Sequence, residues 1–404
     1  MKSLYKKIFI IIFVVILIIP ITLICVEKIT KKPVITSQLM GITQIVEFPK
    51  LTLDKYVKGN FQKYFENYWA TSFPGRVYLI RIYNQLRYSF FSLNGSWRQQ
   101  DSQQIIGKDG SIFHEYYITD ALQYQYDYDF SKKENQQKCI SYVENLEKIH
   151  EILEKNGKHL LFFITPSKAH FLYNEIPERY YYKKRELNHA SIDAADFLTS
   201  QLSNTKINWY DSRNDIRKLN NEGIPVFYKT GIHMSRPADQ QLTIKLLEHM
   251  NAISRGQYPQ LKLDYLNNSM NPFWRDQDVY LLLNIFSGKK DKCYYQYSYS
   301  KLTSPTLNNK TILVQGGSFA ESFTKDFIEQ KLGDTCYRIF YKQMLYTNEA
   351  PDVLYFKKWS DLDMKELINK SDFILIEVND AAINAYNNGF VEYLKLYLEK
   401  YYIS

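Results

Sequence analysis

Metal-binding and disulfide frameworks are the first things missing from this chain of 404 residues. Its four cysteines stand at 25, 139, 293 and 336, with no Cys-x-x-Cys among them. Cys25 falls in an apolar run, and Cys139, Cys293 and Cys336 allow one disulfide at most. Seven histidines form no His-Glu-x-x-His or similar cluster, so no structural or catalytic zinc and no cofactor is expected. Glycine (15) and proline (12) are few beside 35 tyrosines and 24 phenylalanines. An A/T-rich codon bias explains that first, and aromatic lining of a sugar-binding cleft second. Charge is short as well: 23% charged against 45% hydrophobic residues marks a folded chain, not a disordered one. The net +8 is no nucleic-acid footprint, because Lys2, Lys6, Lys7, Lys28, Lys31 and Lys32 against Glu27 hold +5 of it and leave +3 for the rest. Nucleic acid is excluded as a partner. There is no tandem repeat and no low-complexity segment.

What is present begins with an uncharged apolar run, Ile8 to Val26. As a helix it would reach roughly 28 Å, close to the ~30 Å hydrocarbon core of a bilayer. No small-x-small cleavage site follows it, and Ile24-Cys25 is a poor lipobox, so an uncleaved anchor is expected over residues 1–32. The membrane is then a partner through this helix. The slightly more positive N-terminal flank places the remainder outside the cytoplasm as a single-pass protein.

Residues 33–115 read as a juxtamembrane linker, a helical segment and a hairpin. Phe61, Tyr64, Phe65, Tyr68 and Trp69 recur at helical spacing, Phe73-Pro74-Gly75-Arg76 interrupts, and Val77 to Phe91 resumes. Ile105 to Phe113 reads as strand, Gly-Lys-Asp-Gly turn, strand. Residues 116–404 alternate helix and strand. A helix with Ile140, Val143, Leu146, Ile149 and Leu153 on one face ends at Asn156-Gly157. The apolar strand His159–Thr165, buried on both faces and hence parallel, follows, closed by Pro166-Ser167-Lys168. Then come a helix over 185–202, a strand Ile207–Tyr210, a helix Ala238–Met250, a non-periodic excursion over 252–274, a strand Thr311–Gln315 and a strand Phe373–Val378. A helix rich in Tyr and Leu ends the chain. The fold class is α/β: a doubly wound, mainly parallel sheet flanked by helices, behind an N-terminal transmembrane anchor and a helical lead segment.

Chemistry gathers at Lys310 to Phe323. The strand runs into Gly316-Gly317, and a helix begins near Phe319, leaving Ser318 on the turn. Such a turn lifts a hydroxyl out of a sheet and sets it at a helix N-terminus, where N–H groups can hold an oxyanion. A serine after glycines also serves as a plain N-cap. Both readings stand on the local pattern.

Several segments together resemble the SGNH-hydrolase-like family of the alginate O-acetylation proteins AlgX and AlgJ. They are the Phe73-Pro74-x-Arg76 break, the Ile106–Gly110 hairpin, Thr165-Pro-Ser-Lys168 with Pro177 downstream, the loop after Tyr228 that holds His233, and Gly-x-Ser-Phe at 316–319. His233 precedes Ser318, as in that family and unlike ordinary SGNH esterases. The resemblance implies an extracytoplasmic O-acyl (usually acetyl) transferase or esterase acting on a polysaccharide beside a membrane-bound O-acyltransferase. It assigns Ser318 as nucleophile and His233 as base, with the backbone of Gly316, Gly317 and Ser318 as oxyanion turn. Lys168 matches the family's lysine and is a substrate-side candidate. The family's Asp-x-His-Trp is here Gly231-x-His233-Met234, and its Gly-Asp-Ser is Gly316-Gly317-Ser318. The acid must then come from elsewhere, and Asp211, at the end of the preceding strand, is the spatial candidate. An aspartate at 231 is expected to raise activity. The alternative from another class is a catalytically inactive relative that binds glycan or scaffolds a polysaccharide modification and export complex.

Overall fold

The computed structural model describes residues 2–30, 39–41, 46–72, 75–91, 103–123, 129–187, 192–303, 310–341, 343–346, 357–358 and 364–402. The chain divides into two compact units, Met1–Leu93 with Tyr280–Gly288, and Asn94–Val279 with Lys289–Ser404.

In the first unit, helices span Lys2–Thr30, Asn60–Ser72 and Arg76–Phe91. Gly75, at φ +92°, makes the break between the last two, a conformation glycine reaches without strain. Phe73 and Pro74 lie outside the described residues. Phe61, Phe65 and Trp69 stack at successive i, i+4 steps, 6.0 and 6.3 Å between centroids. The segment from Tyr280 belongs here because Asn84 donates to the Leu283 carbonyl at 2.9 Å and the Gln85 side chain accepts from the Phe286 and Ser287 N–H groups.

The anchor expected at residues 8–26 does not stand. Among the described residues no helix is long and apolar enough to cross a membrane. With the anchor go the membrane partnership, the single-pass topology and the placement outside the cytoplasm derived from it.

The second unit opens with the hairpin expected over Ile105–Phe113: β1 (Gln104–Ile106) is antiparallel to β2 (Ile112–His114), with Ile106 opposite Ile112 and Ser111 therefore inside the turn. β3 (His159–Thr165) and β4 (Trp209–Asp211) follow. β5 (Gln260–Ser269) and β6 (Tyr294–Thr303) form a separate antiparallel pair. β7 (Thr311–Gly316), β8 (Thr335–Phe340), β9 (Gln343–Tyr346), β10 (Lys357–Lys358) and β11 (Ser371–Asn379) complete the set. Seven of them make one sheet in the order β10-β9-β8-β7-β11-β3-β4. From β8 to β4 every neighbour is parallel, and β9 and β10 run antiparallel at one edge.

Two-faced burial explains the parallel sheet. Leu160, Phe162, Ile164, Leu313, Ile374 and Ile376 point into one core. Their alternate neighbours Leu161, Phe163, Ile312, Val314, Phe373 and Leu375 point into the other. Helices Lys133–Lys155, Ala194–Leu202 and Phe390–Tyr402 cover the first face, and Arg213–Asn221, Arg236–Ser254 and Ala320–Glu329 cover the second. Each such side chain, fully withdrawn from water, contributes about 1.5–3 kcal/mol. Asn156 and Gly157 (φ +68°) stop the first helix where the sequence predicts. The helix expected over 185–202 is two, Glu178–Leu187 and Ala194–Leu202; Asp193 caps the second by accepting from the Ala195 and Asp196 N–H groups. The excursion at 252–274 contains β5, whose residues are mostly exposed and so lack the alternation that marks a half-buried strand.

Candidate active site

β7 delivers the serine. Its last residue, Gly316, lies against β11, where a Cβ would stand 2.7 Å from the Glu377 carboxylate and 2.9 Å from the Ala320 side chain. Only glycine lets the strand end so close. At Gly317 a Cβ would meet the Tyr341 hydroxyl at 3.1 Å, so the aspartate of the Gly-Asp-Ser pattern would require the Tyr341 side chain to give by a few tenths of an ångström. The following helix is not capped by the serine side chain. Instead the Ser318 hydroxyl meets His233 Nε2 at 2.7 Å.

His233 stands in the loop between Tyr228 and the helix Arg236–Ser254, a helix started by Ser235, whose Oγ accepts from the Ala238 N–H. Lys168, just past β3, is fully buried. Its ammonium donates to the carbonyls of Tyr228 (2.6 Å), Lys229 (3.1 Å) and Gly231 (2.6 Å). It therefore braces the histidine loop from beneath and does not face outward as a substrate-side group would. Burial lowers its pKa to about 7. Met234, at the family's tryptophan position, is buried in the core.

The other imidazole nitrogen, Nδ1, lies 2.5 Å from Asp278 Oδ2. Asp278 Oδ1 accepts the Ile232 N–H at 3.0 Å and the Val279 N–H at 2.7 Å, which fixes the carboxylate against the loop. Asp211 is elsewhere: it accepts from the Arg213 backbone at 3.1 Å and from its guanidinium at 2.8–3.1 Å, at the start of the helix Arg213–Asn221. Gly231 explains the exchange. A Cβ there would sit 2.6 Å from the Arg275 carbonyl and 3.0 Å from Asp276, because the segment that carries Asp278 packs flat against the glycine. The missing side chain leaves the space in which the segment carrying Asp278 packs.

Burial and then the Arg275 charge press His233 below the ordinary imidazole value, against the pull of Asp278. Burial works to raise Asp278, but the hydrogen bond and charge of His233, the Ile232 N–H and the Arg275 charge together outweigh it and hold the carboxylate below its usual range. Near neutral pH the imidazole is thus uncharged with an ionised acid behind it. Arg275, 1% exposed, donates to the Ser318 carbonyl at 2.7 Å, and Arg338 donates to the Gly317 carbonyl at 3.0 Å. These two cations hold the turn by its oxygens and leave its N–H side open. Of that side, the Gly317 N–H is already given to Glu377 Oε2 at 2.8 Å. Tyr341 adds a hydroxyl: burial pushes its phenol up, Glu377 adds to this, and hydrogen bonds from the Ser318 backbone and side chain draw it back. The Ser318 backbone N–H and the Tyr341 hydroxyl thus meet each other beside the nucleophile.

Among the described residues no group of three or more His, Cys, Asp or Glu could hold a metal ion. A hydroxyl, an imidazole and a carboxylate in line at the carboxyl edge of a parallel sheet can move a proton off the hydroxyl and return it to a leaving group.

That arrangement is a serine–histidine–aspartate constellation on an α/β sheet. Residues 123–241 match the family described as an SGNH hydrolase-like domain of the acetyltransferase AlgX, a span that includes His233 and stops before Asp278 and Ser318. Over that span, under a third of the chain, the sequence is similar to SGNH hydrolase-like proteins of the AlgX kind. Among solved structures, the O-acetyltransferase domain of Pseudomonas putida AlgJ is similar at 12% identity, covering 73% of this chain and 99% of that one, with a TM-score of 0.43. A DHHW family protein from Eubacterium siraeum is similar at 11% identity over 63% and 88% of the two chains (TM-score 0.39), and Bacillus cereus PatB1 at 12% over 61% and 91% (TM-score 0.36). No curated sequence relative matches.

Proposed function

We propose that this protein is a serine O-acyltransferase or esterase that moves short acyl groups, acetyl foremost, on a polysaccharide. The observation that carries the reading is His233 bridged between the Ser318 hydroxyl at 2.7 Å and the Asp278 carboxylate at 2.5 Å. A serine hydroxyl is a poor nucleophile at neutral pH and gains from a neutral base within hydrogen-bond reach. His233 takes the Ser318 proton as Oγ attacks the acyl carbonyl, and Asp278 stabilises the imidazolium that forms. The Tyr341 hydroxyl, and the Ser318 N–H once it turns from the Tyr341 oxygen to the substrate, receive the negative charge on the carbonyl oxygen. The imidazolium then protonates the leaving oxygen, and an acceptor hydroxyl or water reverses the sequence.

The experiment compares wild type and Ser318→Ala in release of acetate from p-nitrophenyl acetate and from an O-acetylated polysaccharide, with mass spectrometry of Ser318 in the quenched reaction. Acyl-Ser318 in the wild type and a loss of up to ~10⁶-fold in the variant are expected. Equal rates in the two proteins would overturn the reading.

A further inference from the structure

Beside the serine turn a pocket of about 40 Å³ is walled by Tyr117, Phe319 and Tyr341 and floored by Gln315 and Glu377. That is space for about three water-sized atoms. Two features tie it to the reacting centre. Tyr341 lines the pocket and also touches Ser318, and the Phe319 ring lies between His233 (5.0 Å) and Tyr117 (6.4 Å). The floor is unevenly satisfied. Glu377 accepts the Thr165 hydroxyl at 2.6 Å on one oxygen and the Gly317 N–H at 2.8 Å on the other. Gln315 is 1% exposed; its Oε1 accepts from Asn387 Nδ2 at 2.6 Å, but its Nε2 has no acceptor. A buried donor left in this state is costly, and a ligand oxygen would relieve it.

We propose that this pocket is the acyl-side subsite, taking tails of two to four carbons and favouring one that carries an oxygen acceptor for Gln315 Nε2. The inference rests on the acyl-transfer reading above. Ser318 Oγ bonds to the acyl carbon while its proton passes to His233 Nε2. The bond from that carbon to the leaving oxygen then breaks, and the leaving oxygen takes the proton. The tail stays in the pocket until an acceptor hydroxyl or water gives its proton to His233 and displaces Oγ, which recovers a proton as it leaves. Longer alkyl tails meet the aromatic walls, and a short alkyl tail fits but leaves the amide unpaired. Sites built around a hydrogen bond reject partners that lack it more strongly than apolar pockets reject a missing methylene.

The test uses the full chain with p-nitrophenyl esters of acetate, butyrate, 3-hydroxybutyrate and octanoate, reading kcat/KM and the mass of Ser318. The 3-hydroxybutyrate ester should exceed the butyrate ester by about tenfold, and octanoate should fall about a hundredfold below acetate. Gln315→Leu should bring the hydroxybutyrate-to-butyrate ratio near one. Because that ratio is taken within one sample, a general loss of activity does not disturb it. Ala382→Leu, on the pocket wall, serves if the first variant fails to fold, and should depress both four-carbon esters more than acetate. Equal rates for all four esters, or ratios unchanged by the variants, would overturn the subsite while acyl-Ser318 upholds the reaction. No acylation of Ser318 by any ester would overturn both.

Discussion

Two histidines of the second unit each lie against aspartate, and the fold drives them in opposite directions. His233 has one carboxylate, Asp278, and the buried Arg275 near it; burial and that cation keep it below the ordinary imidazole value. His170 has three: Asp380 at 3.1 Å, and Asp120 and Asp193 each at 3.6 Å. Burial pulls it down, but the three acids outweigh burial and raise it to about 9. One ring is kept neutral and can accept a proton; the other is a fixed cation that clasps the end of β11 to the segments carrying Asp120 and Asp193. Proximity to an acid does not make a histidine a base. The balance of charge around it decides.

The comparison breaks most visibly at Asp278. Asp278→Asn should lower kcat by about 10⁴-fold, since the amide neither fixes the tautomer nor stabilises the imidazolium. Asp211→Asn should change it only a few-fold. Matching losses in steady-state assays of the two variants would return the acid role to Asp211. Next in size is Gly231→Asp. The close carbonyl of Arg275 makes this an overpacked site, costing about 1–3 kcal/mol with a buried carboxylate added. A lower urea midpoint and no gain in turnover are expected; a gain would mean that the 275–278 segment yields easily. The smallest effect is in pH. The folded pKa of His170 is raised, so its contribution to stability is complete below about 6.5 and is lost as pH rises through about 9. The His233 value is lowered, so the acid limb of kcat/KM should have its midpoint below 6.5. Thermal melts from pH 6 to 10 and a pH–rate profile separate the two rings, and both effects at one pH would erase the contrast.

Much of the fold is legible in the sequence because its strands are buried on both faces. His159–Thr165 coincides with β3 residue for residue, and Thr311–Gln315 with all but the last residue of β7. The Ser318 turn is legible for a related reason: the glycines that end β7 interrupt an otherwise apolar run. Asp278 is not legible, because it follows an excursion whose strand β5 is mostly exposed and whose helical turn Trp274–Gln277 is one turn long. Periodicity has nothing to register there. The one available signal was negative: a glycine where an acid belonged, and acids at 276 and 278 in a stretch between the histidine and the serine. The role of Lys168 was hidden for a different reason. A lysine after a strand usually reaches water, and only the packed structure turns this one onto three carbonyls.

Gly231 has a further consequence, for when the site comes into being. An Asp-x-His pair is local and forms with its own loop, whereas His233 and Asp278 are 45 positions apart. Closing the longer loop costs on the order of 3 kcal/mol more by the logarithmic scaling of chain entropy. That cost falls on docking the 275–278 segment against Gly231. A molecule with its sheet formed and this segment undocked would be native by its helices and strands, yet its imidazole would have no acid behind it. Competence at this site therefore depends on a docking step that formation of the sheet does not by itself bring about.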